Sequence, residues 1–421
     1  MDLRIFTRVF KNPIFLSFII FLSVMGPGII TANVDNDAGG ITTYSLAGSQ
    51  FGYDLLWLFI PMIIALAIIQ EMGVRMGIVS GKGLADLIRE KVGIKITFLM
   101  MIALLAANMG NILAEFSGIA ASSGIFGVPK FIALPVAALF VWLLVVKGNY
   151  KSVEKIFLMA SALYLTYIVA GYLSQPDWAL AVHNSIIPQL TPSTAYFTMI
   201  IGLVGTTIAP WMMFYIQSSV VEKGISLKNL KYSKLDAIFG AIVVNVVAFF
   251  IVVACAATIH AHGIQVSSVA DISAALVPLA GQYASILFAF GFLNASLFAA
   301  SILPLSTAYY VCESLGFEAG VSKGFREAPI FHGLYLGLIL LAVIVIMLPN
   351  APLLTILYLS QVANGLLLPF LLILMLLIIN DRKIMGDYVN SKLFNYIAIA
   401  TVIIVMTLSI ALIVTLLLPS I

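Results

Sequence analysis

A chain of 421 residues that is 62% hydrophobic and only 9% charged lacks the charge needed to cover the surface of a water-soluble domain. That balance excludes a soluble globular protein and places the chain in a lipid bilayer. The formal net charge of +3 is spread over many loops, and no DNA- or RNA-binding motif is present, so no nucleic-acid partner is expected.

Apolar runs of about 20 residues, the length that crosses the hydrocarbon core, recur eleven times. In chain order they are 14–49 (interrupted), 53–79, 96–123, 128–147, 152–173, 194–220 (interrupted), 234–261, 281–313, 330–348, 351–379 and 393–419. Long apolar runs between short polar loops predict helices, since barrel strands would alternate at every second residue. The predicted fold class is an all-α integral membrane protein with eleven transmembrane helices.

Basic residues then orient the spans, because cytoplasmic loops accumulate Lys and Arg. Arg4, Arg8 and Lys11 precede the first span, and Lys82, Arg89, Lys91 and Lys95 follow the second. Lys147, Lys151 and Lys155 follow the fourth, Lys223, Lys228, Lys231 and Lys234 the sixth, Lys323 and Arg326 the eighth, and Arg382, Lys383 and Lys392 the tenth. With eleven spans all of these share one side, and Lys130 alone lies opposite. The N-terminus is thereby expected in the cytoplasm and the C-terminus outside, in a plasma (inner) membrane protein that keeps its N-terminal segment, which has no small-residue cleavage site. Cys255 and Cys312 fall inside spans and are expected as free core residues.

Two spans are broken. "NVDNDAGGIT" (33–42) puts Asp35, Asn36, Asp37 and a glycine pair inside the first, and "GLVGTTIAPW" (202–211) puts Gly202, Gly205 and Pro210 inside the sixth. Non-helical backbone at membrane depth survives only in protein or beside a watery cavity. Gly39 and Gly40 are expected to supply backbone angles a helix cannot use. Pro210 lacks an N–H and frees the carbonyls of Thr206 and Thr207.

Spans one and six each open a set of five helices, and an odd number per set inverts the second set. The expected organisation is a first repeat over 1–175, a second, inverted repeat over 190–380, and an appended helix over 390–421. Matched breaks in inverted halves point to a secondary transporter's substrate site. Carboxylates on one break facing carbonyls on the other suit a hard cation. Against this stands a plainer reading in which Asp35 or Asp37 only caps the following half-helix. An amino-acid transporter is a further alternative, which a central Asp disfavours because it would repel the substrate carboxylate. No grouping of nucleophile, base and orienting residue appears, so no enzyme is expected.

The stretch "GPGIITANVDNDAGGITTYSLAGSQFGYDLLW" (26–57) resembles the first span of the Nramp family of divalent-metal transporters, whose unwound signature is Asp-Pro-Gly-Asn. "GIVSGKGLADLIRE" (77–90), "LAEFSGIAASSGIFG" (113–127), "GTTIAPWMMFYIQSS" (205–219) and "LSQVANGLLLPF" (359–370) continue the resemblance in order. It implies the LeuT-type inverted-repeat fold and aligns Asp37 with the family's metal-binding Asp. It also aligns Gln361 with a Gln that completes the site, with Asn364 one turn on. The departures imply more. Gly40 stands where transition-metal members carry Asn, and Ala209-Pro210-Trp211 where they carry Met-Pro-His. Loss of the thioether removes the soft ligand that favours transition metals, and two smaller residues imply a wider cavity, suited to a largely hydrated Mg²⁺.

Proton-carrying positions of the family fall on Ile112 and Ile216. The resemblance is therefore to the Nramp-related magnesium transporters, which implies uptake of Mg²⁺ and Mn²⁺ by alternating access without proton coupling. The alternative is a proton-coupled Mn²⁺/Fe²⁺ symporter, for which Glu115 is the remaining acceptor or else a hydrogen-bonded structural group. Metal-site positions are thus Asp37, Gly40, Thr206, Thr207, Ala209 and Gln361, with Asp35, Asn36, Trp211, Asn364 and Glu115 around them. Trp211 is expected to pack, since indole offers only a donor. Asn108 and Asn111 fit interhelical hydrogen bonding, Glu71 and Arg75 a helix pair, and His260 and His262 offer too few ligands for a metal. No cofactor besides the transported ion and no obligate protein partner is implied; the cation and the bilayer are the expected partners.

Overall fold

The computed structural model describes residues 26–147, 165–191 and 193–417. The predicted first-span start at 14–25, most of the fifth span, and Arg4, Arg8, Lys11, Lys151 and Lys155 lie outside the described residues. Everything regular within them is helical. Two short helices, α1 (Pro27–Val34) and α2 (Ala38–Phe51), form the first span, and α3 (Phe59–Ser80) the second. A loop helix α4 (Leu84–Val92) leads to α5 (Ile94–Ile125), then α6 (Lys130–Val146) and the end of the fifth span, α7 (Leu165–Leu173). After α8 (Trp178–Ile186) come the two halves of span six, α9 (Thr194–Thr207) and α10 (Pro210–Glu222). The chain closes with α11 (Leu230–Cys255), α12 (Ala284–Leu315), α13 (Pro329–Met347), α14 (Leu353–Ile379) and α15 (Lys392–Leu417).

Among the described residues eight helical segments are long and apolar enough to cross a membrane, with α6 somewhat shorter. The chain is therefore a multi-pass membrane protein. Both cysteines are buried and free. Helix ends follow from local chemistry. Gly81, at φ +66°, ends α3 in the left-handed conformation that favours glycine, and Pro210 opens α10, where its missing N–H costs nothing.

Burial separates a core from its surroundings. The best membrane window of 194–222 is 100% buried and that of α15 only 22%, so span six is enclosed while α15 is an outer helix facing lipid. Long α5 and α12 pack along each other, α14 packs on α9 and α5, and α11 covers α1, α2 and α3. The α9–α14 seam depends on glycine: a Cβ on Gly205 would run into the Gln361 carbonyl and Gly365, and one on Gly365 into the Ile201 carbonyl. The Glu71–Arg75 pair, at 2.9 Å, reaches further than one helix, because Lys234 lies 2.7 Å from Glu71 and Arg75 donates to Asn390 and to the Tyr388 carbonyl.

Candidate functional site

The first break is shorter than its sequence suggests. Only Asp35 to Asp37 leave the helix, and Gly39 and Gly40 already belong to α2, with neither in a left-handed conformation. The expectation that this pair supplies unusual angles is corrected: what the glycines supply is space. A Cβ on Gly39 would collide with the Gln361 amide, and one on Gly40 would meet the Asp35 carbonyl and lie 3.1 Å from Thr206 Oγ1. Asp37, Thr206 and Ala209 are all buried.

The two aspartates are used differently. Asp37 is the N-cap of α2, its Oδ1 accepting the Gly40 N–H at 2.6 Å. Its carboxyl also lies within hydrogen-bonding reach of Glu115, whose Oε2 accepts the Ala38 N–H at 3.3 Å. Asp35 is 1% exposed, and neither of its carboxylate oxygens has a hydrogen-bond partner among the described residues. The capping role weighed for both acids thus falls to Asp37, and Asp35 caps nothing. Asn36 donates to the Val244 carbonyl at 3.4 Å while its own Oδ1 is buried and unpartnered.

At the second break the chain leaves the helix at Ile208 and Ala209. The backbone bonds across it run from Ile208 N–H to Val204 and from Met212 N–H to Ala209. The helical donor for the Thr206 carbonyl would be Pro210, which has none. Thr207 Oγ1 pairs with the Tyr44 hydroxyl at 2.9 Å, tying the two breaks together, while Thr206 Oγ1 is buried without a partner. Gly40, with the Asp35 carbonyl and Thr206 Oγ1 both against it, joins the two breaks a second time. Trp211 is buried beside Tyr215, and its carbonyl accepts from Ser306. No group of three or more His, Cys, Asp or Glu is placed to hold a metal among the described residues; the oxygens gathered here are two carboxylates with amide, hydroxyl and carbonyl groups.

Span ten closes the third side. Gln361 Oε1 accepts from Asn364, which exchanges hydrogen bonds with Asn111; Asn111 donates to Asn108, and Asn108 donates to the Leu303 carbonyl and to Thr307. This chain stitches α14, α5 and α12 together. Gln361 thus touches the site through Gly39, with its carbonyl oxygen held by Asn364 rather than turned to the aspartates.

Two cavities lie toward opposite ends of the bundle. One, of about 690 Å³, is lined by Asp54, Asp177, His183, Asn184 and His260 among others, with no Lys or Arg. The other, of about 530 Å³, mixes Asp86, Glu222, Glu313 and Glu318 with Lys82, Arg89 and Lys323. Burial pushes the Asp86 carboxyl above its ordinary range, against the pull of Arg89. Neither cavity is lined by Asp35 or Asp37. His260 and His262 each turn Nδ1 to a backbone carbonyl, that of Ser49 and Thr258 respectively.

One buried carboxylate with a structural task is absent from the sequence-derived set. Asp236 on α11 accepts from Gly28 N–H at 2.7 Å and Gly26 N–H at 3.3 Å, capping α1 across 208 residues of chain. The signal was available: a lone carboxylate one turn inside an apolar span. Gly28 and Gly240 let α1 and α11 touch main chain to main chain there.

Comparison with known proteins agrees with this architecture. A family model described as natural resistance-associated macrophage protein-like (Nramp) matches residues 28–415. A divalent metal cation transporter MntH of Yersinia enterocolitica is 29% identical over 422 residues, covering 97% of this chain and 99% of its own. The solved manganese transporter of Eremococcus coleocola superposes with a TM-score of 0.75 at 21% identity, covering 92% and 85% of the two chains. Mhp1, a nucleobase-cation-symport-1 family transporter, shares the fold at a TM-score of 0.55 and 14% identity, over 93% and 91%. The fold is therefore the LeuT-type inverted repeat with broken first and sixth helices.

Proposed function

This chain belongs to the Nramp family, and from that premise we propose that it is a secondary transporter carrying divalent metal cations, Mg²⁺ and also Mn²⁺, by alternating access around Asp37. The repeats would run over 1–175 and 190–380, with 390–421 appended. The protein would sit in the plasma (inner) membrane, N-terminus in the cytoplasm. The observation that carries the choice of ion is Ala209. Its side chain brings no sulfur to the second break, and the nearest thioether in sequence, Met212, is engaged by the Gln70 amide. An all-oxygen site suits hard cations and gives up the preference for softer metals.

Asp37 supplies charge, the Thr206 and Thr207 carbonyls and hydroxyls supply neutral oxygen, and Gln361 positions α2 from behind. The burial of Asp35 and Asp37, with a cavity toward each end of the bundle, supports a step in which the ion is sealed from both sides. Ile112 and Ile216, both fully buried, carry no proton, which supports uncoupled uptake. Inward potential then contributes roughly 2.3 kcal/mol per charge per 100 mV, twice that for a divalent ion.

One observation favours the proton-coupled alternative. Glu115, the remaining acceptor, is fully buried beside the first break with its Oε1 unpartnered, a position from which a proton can leave as a cation enters. Proteoliposome uptake of Mg²⁺ and Mn²⁺ recorded together with interior pH separates the two. Uptake of both ions without acidification is expected. Acidification in step with metal entry would overturn the uncoupled reading, and Mg²⁺ that neither enters nor competes with Mn²⁺ would overturn the substrate assignment.

A further inference from the structure

We propose that Asp35, rather than merely lying near the site, is its second carboxylate ligand and the residue that selects divalent over monovalent cations. The proposal rests on the cation-transport reading above and deepens it. At the aligned signature only Asp37 is a metal ligand, so nothing in the family resemblance assigns Asp35 this part.

Three observations converge on it. Asp35 is buried to 1% exposure with both oxygens unpartnered, and no basic side chain forms an ion pair with it among the described residues. A carboxylate in such surroundings is costly unless something positive or a proton meets it. Its neighbour Asp37 is the opposite case, with one oxygen committed to the Gly40 N–H and its carboxyl against Glu115. Finally, two neutral oxygens are also buried without partners: Asn36 Oδ1, on the residue next to Asp35, and Thr206 Oγ1, on the residue that shares the space over Gly40 with the Asp35 carbonyl. Apart from Glu115 Oε1 on the Asp37 side, the unpartnered oxygens of the two breaks thus lie around Asp35.

The consequence is a charge balance. A divalent ion held by Asp37 alone keeps one positive charge uncompensated at membrane depth, where charge is poorly tolerated. With Asp35 and Asp37 ionised and Glu115 keeping its proton, the site and a divalent ion sum to zero, while Na⁺ or K⁺ leaves a net negative charge. The class of ligand that fits is a hard divalent cation taking oxygen from both breaks.

The test uses the purified full-length protein and the metals themselves. Calorimetric titration with MgCl₂ and MnCl₂ is run on the wild type and on Asp35→Asn, alongside proteoliposome flux with and without excess Na⁺. Asp35→Asn is expected to weaken binding of both metals about tenfold or more, a factor equivalent to roughly 1.4 kcal/mol, and to let Na⁺ compete where it does not in the wild type. Unchanged affinity and unchanged discrimination against Na⁺ would overturn the proposal and show that a proton satisfies Asp35. A wild type that binds no divalent cation would instead sink the transport reading, which keeps the two failures apart. Should Asp35→Asn not fold, Asp35→Glu keeps the charge with a longer reach. An altered Mg²⁺-to-Mn²⁺ affinity ratio in that variant supports a ligand role, and an unaltered ratio and affinity overturn it.

Discussion

The two breaks at the centre of this bundle are made by opposite means. The first interrupts its helix with side chains: three consecutive polar residues, one of which caps the helix that follows. The second interrupts its helix with the backbone, through a proline that withholds one N–H. The first therefore brings charge, and the second brings dipoles. A cation site needs both, and neither half is a site alone.

The largest expected effect tests the charged half. Asp37→Ala removes the proposed charged ligand and the α2 cap, and metal uptake into proteoliposomes should fall to that of protein-free vesicles. Uptake at half the wild-type rate would move the ion off the first break. Next comes the dipolar half. Pro210→Ala returns an N–H to the chain and offers the Thr206 carbonyl a helical partner. Uptake should drop about tenfold while thermal stability rises, worth roughly 1.4 kcal/mol of transport barrier; equal uptake would mean those carbonyls are not used.

Ala209→Met adds sulfur to the oxygen-only half and should shift competition several-fold toward Mn²⁺ or Cd²⁺ over Mg²⁺. An unshifted ratio would mean that this position does not face the ion. The smallest effect belongs to a residue outside both breaks. Asp236→Ala uncaps α1 and should lower the unfolding temperature by an amount corresponding to about 1–2 kcal/mol, with calorimetric metal affinity within twofold of wild type.

How much of this the sequence discloses depends on the range of the physics involved. Spans such as 330–348 and 351–379 sit within two residues of α13 and α14, because bilayer thickness acts on one segment at a time. The breaks are legible for the same reason: Asp, Gly and Pro inside hydrocarbon are locally improbable. Which acid keeps its oxygens free is not legible, since Asp35 and Asp37 differ only in what folds against them. The glycines mislead in the same way. Gly39 and Gly40 look like a conformational device until Gln361, Thr206 and the Asp35 carbonyl are found against them. The Asp236 cap and the Asn108–Asn111–Asn364 chain join residues about 195–250 positions apart through helix faces, and face depends on rotation as much as on order.

The seam between Gly205 and Gly365 carries a consequence for anyone surveying variation in this chain. A Cβ on Gly205 would strike the Gln361 carbonyl and Gly365, and one on Gly365 the Ile201 carbonyl, so neither position tolerates anything larger. Exhaustive single substitution would score both as intolerant as Asp37, although neither supplies a ligand. Their signature would be insensitivity to metal: a loss that no concentration of substrate rescues, marking a joint in the packing of α9 on α14.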